Sequence, residues 1–131
     1  MARKGRWKIH ELDLLISGIL LDAETSHEQL WAFREALNDE WVLPTDAIVV
    51  GEPVSMLAVD YDGNPRRGLI VHCRKSDGSH HVVGLLEIHL PDTMQAAQYL
   101  AAYRRWMGLP PYPDTSKRSS SRRRDTGTRR Q

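Results

Sequence analysis

Asp22, Glu24 and Glu28 stand within seven residues of one another, and Asp60 and Asp62 within three. Closely spaced carboxylates are the donors that a hard divalent cation such as calcium takes, about six to eight oxygens at a time. The run Asp60-Tyr61-Asp62-Gly63-Asn64 opens like an EF-hand loop, but its sixth position is Pro65 where glycine is needed and its twelfth is Val71 where a bidentate glutamate is needed. The EF-hand is therefore rejected. A hairpin turn explains Asp62-Gly63 equally well, and a looser calcium contact through Asp60 and Asp62 is the alternative. Asp22, Glu24 and Glu28 read either as a solvated helix cap or as a calcium junction. Asp39, Glu40 and Asp46 form a second acidic group further on.

Other chemistry finds less support. The histidines are His10, His27, His72, His80, His81 and His89, with no H-x-x-x-H or C-x-x-C spacing. Zinc needs three or four such ligands converging on one point, so solvated sheet histidines are the better reading, with His72, His81 and His89 expected on one outer face. No G-x-S-x-G, P-loop or dinucleotide fingerprint occurs. Cys73 is the single cysteine, which excludes an intramolecular disulfide and reads as a small buried hydrophobe. A non-enzymatic protein of the cytoplasm is expected. The apolar run 14–21 is too short to span a bilayer, and Glu11 and Asp13 sit where a signal peptide would be uncharged.

Charge is segregated along the chain. Residues 1–8 hold Arg3, Lys4, Arg6 and Lys8 and no acid, a basic arm of +4. Residues 117–131 hold seven basic residues against Asp125, giving +6. The stretch between keeps seven basic and sixteen acidic residues, net −9, although the whole chain is only +1. An acidic body suits cations, and basic arms suit polyanions. Arg122, Arg123, Arg124, Arg129 and Arg130 are the candidates for contacting nucleic acid or an acidic protein. No aromatic residue interleaves them, so phosphate contact without base stacking is expected. A solubilising arm folding back on the acidic body is the plainer alternative.

The elements that must position these groups follow from pattern. Residues 9–21 fit a helical stripe (Ile9, Leu12, Ile16, Ile19, Leu20) and a strand face (Leu12, Leu14, Ile16, Gly18) alike. Gly18 weakens the helix, and a strand is preferred. Residues 26–40 predict a helix, with Thr25 or Ser26 as N-cap, Glu28 or Gln29 at the capping-box position, and Leu30, Phe33, Ala36 or Leu37, and Trp41 as the buried stripe. Residues 47–90 predict an antiparallel meander. Pairing Lys75 with His80 across Ser76-Asp77-Gly78-Ser79, and Tyr61 with Arg66 across Asp62-Gly63-Asn64-Pro65, puts Val54, Met56, Ala58, Leu69, Val71, Cys73, Val82, Gly84 and Leu86 on one face. Residues 93–107 predict a second helix, with Asp92 as N-cap and Gly108 at C′ before Pro110-Pro111. Residues 110–131, rich in Ser, Arg and Pro, predict a disordered Arg/Ser-rich tail.

The fold expected is α+β: a single domain over 9–109, with a small bent antiparallel meander or partly open SH3-like or Sm-like barrel, flanking helices, a basic N-terminal arm over 1–8 and the basic tail. The runs Asp22-Ala23-Glu24, Glu28-Gln29-Leu30-Trp31, Leu43-Pro44, and Val50-Gly51-Glu52-Pro53-Val54 with the meander that follows resemble a small bacterial calcium-binding protein family over roughly residues 12–90. The resemblance implies a calcium buffer or sensor without catalytic activity that holds calcium by surface carboxylates. By position it points to Asp22, Glu24 and Glu28. The terminal helix and the arginine tail lie outside it.

Overall fold

The computed structural model describes residues 6–91 and 94–113. Its elements are α1 (Ile9–Ile19), α2 (Ser26–Glu40), β1 (Thr45–Val49), β2 (Glu52–Tyr61), β3 (Leu69–Lys75), β4 (His80–Gly84), a 3-10 turn (Leu85–Glu87), β5 (Ile88–His89) and α3 (Ala96–Trp106). The strands form one antiparallel sheet in the order β4-β3-β2-β1-β5. The α+β class stands, but the sheet is open: β4 and β5 are its two edges, so no barrel closes.

The segment preferred as a strand at 9–21 is a helix. Lys8 N donates to Glu11 Oε1 at 2.7 Å, satisfying a backbone donor at the helix entry. Leu12, Leu15, Ile16 and Ile19 face the core, with Leu12 fully buried. Leu14, which a strand would have turned inward beside Leu12, is 70% exposed. Packing of α1 on α3 offsets the intrinsic cost of Gly18. α2 forms as predicted: Glu28 N donates to Thr25 Oγ1 at 3.1 Å, and Glu28 Oε1 accepts from Thr25 N at 3.0 Å. Leu30, Phe33 and Leu37 are its buried stripe, followed by Trp41. α3 begins at Ala96, and Asp92 lies outside the described residues. Gly108 does take the left-handed conformation, φ +87°, that follows the helix end.

The predicted strands exist, but both hairpin registers differ. Tyr61 pairs with Leu69 instead of Arg66, and Arg74 instead of Lys75 pairs with His80. The 62–68 connection is longer because side chains build it: Asn64 N donates to Asp62 Oδ1 and Arg66 N to Asn64 Oδ1, each at 3.0 Å. At the second turn Asp77 Oδ1 accepts from Ser79 N at 2.8 Å, and Lys75 N bonds Ser79 O. A bulge between Met56 and Ala58 then switches the parity of β2. Val54 and Met56 are buried before it, Val59 and Tyr61 after it, while Ala58 faces away. Cys73, Val71 and Leu69 are inward as expected, but Val82 is exposed. His81 now pairs with Cys73 and His72 with Val82, so these two histidines stand on opposite faces.

β1 pairs with β2 only up to Met56, which leaves the Val59 end of β2 with an open edge. α2 covers that edge, and Asn38 Nδ2 donates to Val59 O at 3.1 Å. Behind it lies an aromatic cluster: the rings of Phe33 and Trp106 are 4.9 Å apart, and Phe33 meets Tyr103 edge-on at 5.5 Å. Tyr103 is fully buried, and its hydroxyl accepts from Leu69 N at 2.9 Å. Gly68 beneath it has φ +77°, and a Cβ there would collide with that hydroxyl.

Two substitutions test this junction. Gly68→Ala combines a left-handed backbone with the collision and is expected to cost about 2–4 kcal/mol. Tyr103→Phe strands the Leu69 N–H and is expected to cost about 1–3 kcal/mol. Urea denaturation of both variants checks the order.

Candidate metal centre

The first acidic group sits between α1 and α2. Asp22 and Glu24 are exposed, and among the described residues their carboxylates make no hydrogen bond or ion pair. Glu28 is committed to the helix it starts: its Oε1 accepts from Glu24 N at 2.8 Å as well as from Thr25 N. Those two backbone donors hold its carboxyl below the ordinary glutamate range.

The second group lies at the far end of β2. Asp60 Oδ1 accepts from Tyr61 N at 2.8 Å and from Arg34 Nε at 3.1 Å, and His72 Nε2 is 3.8 Å from Oδ2. The Tyr61 amide, Arg34 and His72 together lower its pKa. Asp62 holds the loop through Asn64 N, with Arg67 Nη1 3.5 Å from its Oδ2.

Between the two groups stands an arrangement that the spacing of acids did not show. His27 Nδ1 is 2.5 Å from the Tyr61 hydroxyl, and Trp31 meets the Tyr61 ring edge-on at 5.7 Å. The Arg34 guanidinium lies 5.0 Å over the Trp31 ring while it binds Asp60 and Glu35. Burial and the nearby Asp62 push the Tyr61 hydroxyl up in pKa. This cluster brings the start of α2 against the end of β2, so the Glu28 and Asp60 regions, distant in sequence, meet at one end of the molecule. The one readable signal was the i, i+4, i+7 spacing of His27, Trp31 and Arg34 on one helix.

The donor chemistry suits a hard cation, but the count does not make a preformed cage. Among the described residues no group of three or more His, Cys, Asp or Glu side chains is placed to hold a metal ion. Cys73 is buried, and burial raises its thiol pKa, which makes it a poor nucleophile. The tail arginines from Arg122 to Arg130 lie outside the described residues. Among those described, no helix is long and apolar enough to cross a membrane.

The chain shares its fold with Anabaena CcbP. Superposition on that crystal structure gives a TM-score of 0.66 at 16% identity, over 80% of this chain and 97% of the other. A calcium-binding protein solved in its calcium-binding form gives 0.59 at 20% identity, over 83% and 98%. At such identities the likeness is one of fold. It extends beyond residues 12–90 and so takes in elements outside the stretch on which the sequence resemblance rested. No protein-family model matches this chain, and no curated protein does.

The cap carboxylate has a pH signature. A carboxyl whose folded pKa is depressed stabilises the fold above its unfolded value, near 4.5 for glutamate, and that contribution is lost as pH falls below it. Glu28→Gln removes this titration. Melting temperatures followed from pH 6 to pH 3 are expected to show wild type the more stable by a steady margin above about pH 4.5, a margin that shrinks as pH falls below it through the depressed folded pKa.

Proposed function

We propose that this protein is a non-enzymatic calcium-binding protein that takes the ion weakly on exposed carboxylates at the α1–α2 junction. The observation that carries the reading is the shared fold, over four-fifths of the chain, with a calcium-binding protein in its calcium-binding form. The net −9 body supports it by raising the local concentration of cations.

Asp22 and Glu24 are the candidate donors because, among the described residues, their carboxylates make no hydrogen bond or ion pair. Glu28 could contribute its second oxygen while the first keeps the helix cap. Water would supply most of the remaining coordination shell. Few protein charges on an exposed site correspond to a dissociation constant of about 10⁻⁴ to 10⁻³ M. Asp60 and Asp62 are weaker candidates, since Arg34 and Arg67 already neutralise them and an incoming ion would have to displace a guanidinium. An affinity in this range fits a buffer of high calcium better than a sensor of small changes.

Isothermal titration of the full chain tests this. Calcium heat with a sub-millimolar to millimolar midpoint is expected in wild type. Asp22→Asn with Glu24→Gln should remove it, and Asp60→Asn with Asp62→Asn should leave most of it. Absence of calcium heat up to several millimolar would end the proposal. Loss confined to the second pair would move the site to the β2 end.

A further inference from the structure

β4 is an open edge: among the described residues no strand lies beyond it. The other free edges of the sheet are guarded. β5 is only two residues long, and α2 covers the end of β2 that β1 leaves unpaired. The ladder fixes which backbone groups of β4 are free. Lys75 N bonds Ser79 O, so the β3–β4 ladder starts from a hydrogen-bonded pair. Antiparallel pairs alternate, which makes Cys73–His81 and Val71–Val83 hydrogen-bonded and leaves Arg74–His80 and His72–Val82 without such bonds. The N–H and C=O of His80 and Val82 therefore point away from β3, over the open edge. Gly84 points the same way, but its N–H already donates to Glu87 Oε2 at 3.2 Å. The free stretch is His80-His81-Val82, and all three residues are exposed, Val82 by 47%.

The features that keep an edge from pairing are missing here. β4 carries no proline and no lysine, and no bulge interrupts its register with β3. It also carries no Asp, Glu or Arg, so in a body of net −9 the strand itself sets no charge against a second copy. The spacing of the free groups selects the partner. His80 and Val82 flank His81 symmetrically. A second β4, antiparallel about a two-fold axis at His81, sets Val82 opposite His80 and His80 opposite Val82, and each such pair exchanges both N–H···O bonds. Centring the axis on Val82 would set Gly84 opposite His80, and Glu87 already holds the Gly84 N–H. The same strand from another copy thus satisfies every free backbone group of the stretch.

We propose that two copies of this protein associate by antiparallel pairing of β4 with β4, which makes one continuous sheet across a two-fold axis at His81. The two His81 residues face each other as a non-hydrogen-bonded pair, with Cα atoms about 4.5 Å apart. Val82 lies diagonally across from its counterpart, and its side chain is withdrawn from water. The contact is small, so the dimer is reversible and depends on concentration. It does not rest on the calcium reading.

Sedimentation equilibrium of the full chain from about 10 μM to about 1 mM reads the mass, and amide–water exchange by NMR over the same range reads the interface. The mass is expected to rise from 15.0 kDa toward twice that value and to stop there. Exchange at His80 and Val82 should slow by the factor by which free monomer falls, while His81, whose N–H is bonded to β3, should not change. His81→Lys sets like charges against each other at the axis and should weaken association about fivefold or more. Val82→Pro removes a donor that the single chain does not use and should weaken it at least about tenfold. The proposal is overturned by a mass of one chain throughout the range, by a mass that passes beyond two chains, by a doubling that leaves exchange at His80 and Val82 unchanged, or by a His81→Lys variant that associates like wild type. None of these outcomes depends on whether Val82→Pro folds.

Discussion

Tyr103 joins three layers at one point. Its ring packs against Phe33 of α2 and Trp106 of α3, and its hydroxyl takes the amide of Leu69 where β3 begins. A buried amide must find an acceptor, and here the acceptor comes from a helix instead of a neighbouring strand. The hydroxyl reaches that amide because Gly68 has no side chain and adopts a left-handed backbone. The contact marks where the 62–68 loop ends and β3 begins, and Leu69 in turn pairs with Tyr61, the neighbour of Asp60.

The carboxylates divide by structural duty. Glu28 starts a helix, Asp60 anchors Arg34, and Asp62 and Asp77 build turns. Each accepts hydrogen bonds from the fold, and those bonds make it a poorer ligand for an added ion. Asp22 and Glu24 have no such duty among the described residues. A cation site on this chain is therefore a matter of which acids the fold leaves unused. The count of acids in the sequence does not decide it.

Charge is as unevenly placed in space as along the chain. The acids gather at the ends of α2 and β2, while Arg104 and Arg105 sit in the last turn of α3, where the helix dipole favours cations. Arg105 reaches Asp13 of α1 at 2.6 Å, joining the two helices across the surface, and Arg104 turns to the Pro110 carbonyl. Such exposed pairs add little to stability.

Local signals in the sequence were enough for the parts whose physics is local. Thr25 with Glu28, the stripe of Leu30, Phe33 and Leu37, the inward Leu69, Val71 and Cys73, and the glycine after α3 all follow from periods and caps within a few residues. Residues 9–19 could not be decided this way, since their apolar residues satisfy both periods, and only contact with α3 selects the helix. The hairpin registers failed for a related reason. Asp62, Asn64 and Asp77 lengthen their turns through side-chain bonds, and the bulge after Met56 reverses the parity of β2. The acids were visible as residues, but Asp60 meets Arg34 across 26 positions, and no spacing rule foretells that pairing. Arg104 of α3 likewise bonds Leu86 O across 18 positions. Composition and short-range pattern set the helices, strands and charge balance, while long-range packing decided which polar groups were consumed in holding the fold and which remained to meet a ligand.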